Sequence, residues 1–127
     1  MSSRFVSLAL ILLAGGLFTT TSAMAQDAVK VDPKHYKVEL ENKQVRVLRI
    51  NYGPHEKSVM HSHPAGVAIF LTDSNVRFTT PDGKTQEQHG KAGQVVEAPA
   101  GKHLPENIGD KPFEIILVEL KRSTMKK

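Results

Sequence analysis

Residues 93–107 read Gly-Gln-Val-Val-Glu-Ala-Pro-Ala-Gly-Lys-His-Leu-Pro-Glu-Asn, and this stretch decides the fold. Gly93 and Gly101 are expected to supply turn geometry at the two ends of a short strand, and Pro99 stiffens the exit from it. The next strand carries one histidine, His103, and a nearby amide, Asn107. The stretch therefore predicts two short strands joined by a tight turn.

The rest of the chain continues this pattern of short extended segments separated by turn residues. The turn signals are Asn42-Lys43, Gly53-Pro54 and Pro81-Asp82-Gly83. No segment after the first 25 residues has helical periodicity, so the sequence predicts one all-β domain, a sandwich or a barrel. The other strands are predicted at Tyr36–Glu41, 44–52, 59–63, 67–71, 75–80, 85–89, 94–98 and Phe113–Leu120.

Composition limits the kinds of function. The chain has 127 residues, of which 39% are hydrophobic and 24% charged, which suits one ordinary domain. It has no cysteine, so disulfides, thiolate metal ligands and a cysteine nucleophile are excluded. Aromatic residues make up 6%, and the basic residues are interleaved with acidic ones, which argues against a nucleic-acid partner. The basic tail 122–127 is interpreted as a solvated chain end.

The first 25 residues are predicted to be a signal peptide. Arg4 supplies a positive charge, an uncharged run follows over 6–18, and Ala23-Met24-Ala25 is a small-x-small cleavage signal. The run is shorter than the about 20 residues that a membrane span needs. We therefore expect cleavage after Ala25 and a periplasmic or secreted protein without stable membrane insertion. Residues 26–35 are predicted to form a flexible segment that leads into a domain over 36–121.

Six histidines are the unusual feature of the composition. His61 and His63 are two residues apart, and on a strand such side chains leave the same face with Cα atoms roughly 6.5 Å apart. Two imidazoles so placed can reach one metal ion at about 2.0–2.1 Å. The pattern also occurs by chance on solvated strands, and His103 alone would suit a loop. These residues by themselves leave both interpretations open.

The order of the segments resembles the cupin superfamily, whose members are small jelly-roll barrels (double-stranded β-helices). Residues 93–107 are similar to the second cupin motif, which is a glycine, five residues, Pro-x-Gly, a histidine and an asparagine. The gap from Gly101 to His103 is one residue shorter than usual. More narrowly, the chain is similar to small bacterial cupins that are labelled as β-alanine-degradation proteins, a label that implies a pathway neighbourhood and no particular reaction.

The first cupin motif is matched only in part by residues 53–74. Its two histidines are present as His61 and His63, but its glutamate is missing. Val67 or Ala68 occupies the place of the glutamate, and Ser74 stands where the motif ends in glycine.

The resemblance implies a metal site in the barrel. The usual set of three histidines and one glutamate, carried over residue by residue, keeps His61, His63 and His103. Such all-nitrogen ligation suits a divalent transition metal such as Fe, Zn, Ni, Mn or Cu. Three neutral imidazoles leave the charge of the ion uncompensated, which favours an anionic ligand such as a carboxylate. Cupins with three histidines are known, and thiol dioxygenases are among them.

Other polar residues near these motifs are candidates for smaller roles. Glu106 is interpreted as a surface charge or a partner of an imidazole N–H, and Asn107 as the residue that fixes the loop. His55 is interpreted as a solvated turn histidine, with a fourth ligand or a general base as the alternative. Glu97 has no assigned face, and His35 and His89 are interpreted as surface histidines. On a regular strand Val67, Ile69 and Leu71 would share the face of His63 and make the pocket apolar.

Two functional hypotheses follow from the resemblance. The first is a metal-dependent enzyme, dioxygenase-like or lyase-like, that acts on a small carboxylated molecule. The second is a non-catalytic cupin that binds a metal or a small ligand, and the lack of an evident general base beside the histidines favours it. A jelly roll with a vestigial site is a third interpretation. By analogy with other cupins, and because the last strand is apolar, we expect a homodimer.

Overall fold

A computed structural model describes residues 26–122 of the chain. The predicted signal peptide and residues 123–127 of the basic tail lie outside the described residues. None of the helices in the described range is long and apolar enough to cross a membrane. The elements are α1 (Ala28–Val31), β1 (Tyr36–Glu41), β2 (Val45–Tyr52), β3 (His61–His63), β4 (Gly66–Phe70), β5 (Ser74–Thr79), β6 (Thr85–Gly90), β7 (Val95–Ala98), β8 (Gly101–Asn107) and β9 (Phe113–Leu120).

The strands form two antiparallel sheets. One has five strands in the order β1-β2-β9-β4-β7, and the other has four in the order β3-β8-β5-β6. Consecutive strands such as β3 and β4 lie in different sheets, so the chain crosses repeatedly from one layer to the other. This arrangement confirms the all-β prediction, and the sheet order is that of a jelly-roll barrel.

The core lies between the inward faces of the two sheets. Period-two alternation puts Leu48, Ile50 and Tyr52 of β2 on one face, and all three are buried. Phe113 and Leu117 of β9 bury their side chains beside them, in one cluster of apolar residues. Strands β1 and β9 have the bounds that the sequence predicts.

The two glycines of the motif stretch behave differently. Gly93 has a positive φ of 84° in the turn before β7, as expected for a position that favours glycine. Gly101 was expected to supply turn geometry as well, but within the described residues it is not among the positive-φ positions. It starts β8 in extended conformation and pairs with His63 of β3.

The segment before β1, which the sequence predicts to be flexible, contains a short helix. Asp27 caps the short helix α1 by accepting a hydrogen bond from the backbone N–H of Val29. Ala28 is fully buried. The amide of Ser62 in β3 donates to the carbonyl of Gln26, so the segment packs against the strand that carries two of the candidate histidines.

His35 was interpreted as a surface residue, and this interpretation is wrong. Its side chain is buried, and its Nδ1 and Nε2 lie 2.7 Å from an Asp32 oxygen and 2.8 Å from a Glu56 oxygen. The ring also stacks on Tyr52 with a centroid distance of 4.2 Å. Partners on both ring nitrogens and an aromatic face make burial of this imidazole favourable.

Candidate metal centre

Three histidines from two strands meet inside the barrel. His61 and His63 leave the same face of β3, and His61 is the register partner of His103 on β8. One potential ligand nitrogen from each of the three lies within 4.8 Å of the others. The ring centroids are 4.8 Å apart for His61 and His63, 5.1 Å for His61 and His103, and 5.4 Å for His63 and His103. The structure thus brings together all three residues that the cupin resemblance singled out.

The hydrogen bonds of His61 leave one of its nitrogens available as a ligand. Nδ1 lies 2.8 Å from the carbonyl oxygen of Val59, and because a carbonyl only accepts, Nδ1 carries the proton. Nε2 is then the atom with a free lone pair. It is buried and has no hydrogen-bond partner among residues 26–122. Since an unpartnered buried nitrogen costs about 1–3 kcal/mol, a metal ion fits this position.

His63 is oriented by a buried carboxylate. Its Nδ1 donates to Oε2 of Glu119 across 2.8 Å, and Oε1 of the same carboxylate accepts from Nε of Arg46 at 2.7 Å. Arg46 also pairs with Asp27 at 2.8 Å. Burial alone would raise the pKa of Glu119, but the hydrogen bonds from His63 and Arg46 hold it below its usual value. An ionised Glu119 fixes the proton of His63 on Nδ1 and leaves its Nε2 lone pair free.

Sequence reasoning missed Glu119. A signal for it exists in β9, where Phe113, Ile115 and Leu117 alternate inward and Glu119 is the fourth inward position. A carboxylate in that place, 1% exposed, needs a buried partner. The partner comes from β3, 56 residues away in sequence.

A second buried group stands behind His61. Ser58 Oγ donates to Oδ2 of Asp32 at 2.5 Å and lies 3.3 Å from Nδ1 of His61. Both Ser58 and Asp32 are buried. The Nδ1–H of His61 is therefore shared between the Val59 carbonyl and the Ser58 hydroxyl, which holds the ring in one orientation.

The rings of His61 and His103 are neutral at neutral pH. Burial and the neighbouring His63 lower the pKa of His61 to about 4. Burial and the two other histidines lower the pKa of His103 to about 3. The ring of His103 also stacks on Phe78 with a centroid distance of 4.9 Å. Neutral imidazole is the form that binds metal ions.

The side chains of β4, the strand after β3, do not extend the face of β3 that carries His63. Val67, Ile69 and Leu71 were expected to share the face of His63, and this prediction is wrong. Pro64 and Ala65 separate β3 from β4, the two strands lie in different sheets, and the alternation restarts. Ala68 and Phe70 line the cavity instead. Of the two positions that could replace the motif glutamate, Ala68 is the one that faces the interior.

The remaining candidates lie away from the cluster. His55 is an exposed turn residue with a positive φ of 59° and pairs with Asp110, as its interpretation as a solvated histidine predicted. His89 is exposed, and so is Glu97. Glu106 lies 3.9 Å from Arg77 and serves as a surface charge.

Asn107 fixes the loop after β8. It is buried, and its side-chain amide donates to the carbonyls of Gly53 and Lys111 at 3.0 and 2.8 Å. Its Oδ1 accepts from the amide of Gly109. The predicted role of Asn107 in the loop is confirmed.

Several solved structures are similar to this chain. A cupin domain from Bordetella pertussis Tohama I is 24% identical with a TM-score of 0.64, and the match covers 68% of this chain and 92% of that one. The chain has a cupin fold. An RmlC-like cupin family protein with a double-stranded β-helix from Methanocaldococcus jannaschii is 22% identical with a TM-score of 0.53, over 70% and 83% of the two chains.

A conserved protein with a double-stranded β-helix domain from Klebsiella pneumoniae gives a similar result, at 24% identity, a TM-score of 0.54 and coverage of 67% and 74%. No protein-family model matches the sequence, and no curated protein gives a significant match. The similarity at these identities establishes the cupin fold. The label of β-alanine degradation stays a prediction.

A cavity of about 350 Å³ fills the interior of this cupin barrel. His63 and His103 form part of its wall, and most of the other lining residues are apolar or aromatic. The hydroxyls of Tyr36 and Tyr52, which also line it, are hydrogen-bonded to each other at 2.8 Å. A small molecule in this cavity would therefore contact two histidines of the cluster.

Proposed function

We propose that this protein is a cupin that binds one divalent transition metal through His61, His63 and His103 and takes a small carboxylated molecule beside it. The observation that carries the proposal is the cluster itself, in which three imidazoles meet and the buried Nε2 of His61 has no partner in the described part of the chain. Separate hydrogen bonds to Val59 and Glu119 hold two of the rings with Nε2 free.

The three nitrogen ligands narrow the choice of metal. Three nitrogens with no carboxylate suit Fe, Zn, Ni, Mn or Cu better than Mg or Ca. When bound, such an ion supplies a Lewis acid with open coordination positions. The residues of the chain orient the histidines, exclude water with an apolar wall, and leave the positive charge of the ion for an anionic ligand to balance.

Metal content tests the proposal. We expect the untagged protein to bind one equivalent of Co²⁺ or Zn²⁺ per chain in calorimetric titration, and elemental analysis of protein purified without chelators to show a transition metal. The metal should also raise the unfolding temperature, because it binds the folded state alone and gives His61 Nε2 a partner. A protein that takes up none of Fe, Zn, Ni, Mn or Cu would contradict it.

A non-catalytic binding protein is the second candidate. In the described chain no carboxylate joins the three histidines in the cluster, and the two cavity tyrosines are hydrogen-bonded to each other. An evident general base is therefore missing, which favours a binding or accessory role. Oxygen uptake and hydrolysis assays on the metal-loaded protein distinguish an enzyme from this alternative.

We also propose that the protein is exported. The support is the leader over residues 1–25, with its positive charge, short apolar run and Ala23-Met24-Ala25 cleavage signal.

The outward faces of the two sheets support the proposed homodimer. The four-stranded sheet presents charged residues such as Arg77, Glu87 and Glu106, which pair with each other at the surface. The five-stranded sheet presents aliphatic side chains from all five strands, and Leu40 and Val95 are 52% and 60% exposed. Charged residues of the same face flank these aliphatic side chains, with Glu97 beside Val67 and the Arg49–Glu114 pair beside Ile116. An apolar patch with a polar rim is typical of an interface. Its members are Leu40, Val47, Val67, Ile69, Val95, Ile116 and Val118.

A charge placed in this face should separate the dimer. Val118 pairs with Val47 on one side and Val67 on the other, so it lies at the centre. We expect the wild-type protein to sediment as a dimer and Val118→Lys as a monomer, because the lysine would be buried unpaired in the interface. Glu87→Lys, on the outer face of the other sheet, should leave the dimer intact. A wild-type monomer at high concentration would contradict the homodimer.

A further inference from the structure

The scarcity of charged side chains in the cavity wall restricts which ligands it can bind. Its wall includes no lysine, arginine or aspartate of the described chain. The two glutamates in the lining, Glu87 and Glu97, stand on outward positions, because their register partners are Arg77 and Val67 on the outer faces. Their side chains therefore point away from the interior. A charged group of a ligand would have only the metal ion as a partner of opposite sign.

The wall itself is apolar and aromatic. Phe70, Phe78 and Phe113 contribute rings, and Val76 and Leu117 contribute aliphatic side chains. The volume of about 350 Å³ corresponds to roughly a dozen water molecules at about 30 Å³ each. A ligand of about that many non-hydrogen atoms, with an apolar body, matches the wall in size and polarity.

Two amides interrupt the apolar wall on β6. Gln86 and Gln88 are the register partners of Phe78 and Val76, so they share the inward face of β5. Gln88 is half-buried and Gln86 is exposed, which places them where the cavity opens to solvent. An amide donates and accepts hydrogen bonds without carrying charge. A hydroxyl, carbonyl or amide of a ligand would find a partner here, and a second carboxylate would not find a cation.

We propose that the ligand of this cavity is a small monoanion whose single charged group faces the metal, with an apolar body and an uncharged hydrogen-bonding group at the Gln86–Gln88 end. This proposal rests on the proposed metal site, since the metal supplies the only positive charge. It names the ligand class that the site accepts, and it disfavours molecules that would place a second charged group away from the metal, against the apolar wall or beside Gln86 and Gln88, where the lining offers no cation.

Calorimetry on the Zn²⁺-loaded protein tests the ligand class with three probes. One is 4-hydroxyphenylacetate, with one charge, an aromatic body and a hydroxyl. Another is 4-carboxyphenylacetate, which has the same frame with a second charge, and malonate has two charges without an apolar body. We expect 4-hydroxyphenylacetate to bind at least about tenfold more tightly than either of the others. The second carboxylate of 4-carboxyphenylacetate would lose part of its hydration near Gln88 without meeting a cation, and malonate has no apolar body to fill the wall.

Variants on β6 test the amide end. We expect Gln88→Leu to lower the preference for 4-hydroxyphenylacetate over phenylacetate by roughly 2- to 10-fold, the range that one neutral hydrogen bond contributes. Glu87→Gln, the neighbouring outward residue, is the matched control and should leave the preference unchanged. If the two variants behave alike, the amide end is wrongly assigned.

The outcomes of these experiments distinguish an error in the ligand class from an error in the metal site. If Zn²⁺ binds with one equivalent but 4-carboxyphenylacetate or malonate binds as well as 4-hydroxyphenylacetate, the ligand class is wrong and the metal site stands. If Zn²⁺ does not bind, the metal site is wrong, and the ligand class, which depends on it, is wrong as well. Both are confirmed if 4-hydroxyphenylacetate binds more tightly than the two dianions and its preference over phenylacetate falls in Gln88→Leu but not in Glu87→Gln.

Discussion

Replacing His61, His63 or His103 by alanine is expected to abolish stoichiometric metal binding. Two imidazoles without a carboxylate leave a divalent ion with too few protein ligands to compete with water. The loss should exceed the roughly 10- to 100-fold that removal of an outer hydrogen-bond partner of a ligand costs. Calorimetric titration of Co²⁺ or Zn²⁺ into each variant measures it.

Exposed histidines provide the matched controls. His55 pairs with Asp110 on the surface and His89 with Asn75, and neither belongs to the cluster. His55→Ala and His89→Ala should bind one equivalent of metal as the wild type does. If a cluster variant keeps wild-type affinity, or if a surface variant loses it, the metal lies elsewhere.

The stability of the same variants adds an independent measurement. His61 is fully buried, so alanine leaves a cavity and should lower the unfolding temperature in chelator. Metal should then raise the unfolding temperature of the wild type and leave that of His61→Ala unchanged. His103→Gln, which keeps a polar side chain of similar length, separates loss of the ligand from loss of packing.

The parts of the fold that sequence predicted are local. The end of β1 agrees with the turn signal at Asn42-Lys43, the bounds of β9 agree with its apolar run, and Gly93 shows the positive φ of a turn. The convergence of His61 and His63 is also local, because period two places them on one face. His103 joins them through the pairing of β8 with β3, which spacing alone does not reveal and only the motif resemblance indicated.

The parts that sequence missed depend on contacts between distant segments. Glu119 meets His63 across the barrel, and Asp32 reaches Ser58 behind His61. His35 lies just before the start of β1, outside any alternating pattern that would mark it as buried, and one of its hydrogen-bond partners is Glu56, 21 residues further on. Charged residues that satisfy each other inside a fold look like surface residues in one sequence.

Glu119 compensates in part for the missing motif glutamate, whose place on the cavity side is taken by Ala68. An alanine on the cavity side removes the negative charge from the direct ligands. Glu119 restores a carboxylate one hydrogen bond further out, on Nδ1 of His63, and Arg46 partly neutralises it. The ion would therefore face a less negative site than one with a ligating glutamate, which agrees with an anionic ligand.

Replacing Glu119 by glutamine is therefore expected to weaken metal binding by about 10- to 100-fold, the usual effect of losing a carboxylate behind a ligand histidine. Glutamine still accepts from Nδ1 of His63 but carries no charge, and it turns an N–H toward Arg46. Because a hydrogen bond to a charged group contributes about 1.5–3 kcal/mol, the free energy of unfolding should fall by about that amount. Titration of Zn²⁺ and urea unfolding measure the two effects.

Glu114 is the control for this variant, since it has the same side chain on the same strand and pairs with Arg49 on the outer face. Its side chain is 33% exposed against 2% for Glu119. Glu114→Gln should change the free energy of unfolding by less than about 1 kcal/mol and leave metal affinity unchanged. Equal metal affinity in Glu119→Gln and the wild type would mean that β3 alone orients His63. A loss confined to Glu119→Gln would place the carboxylate of β9 in the metal centre as the positioning residue of His63.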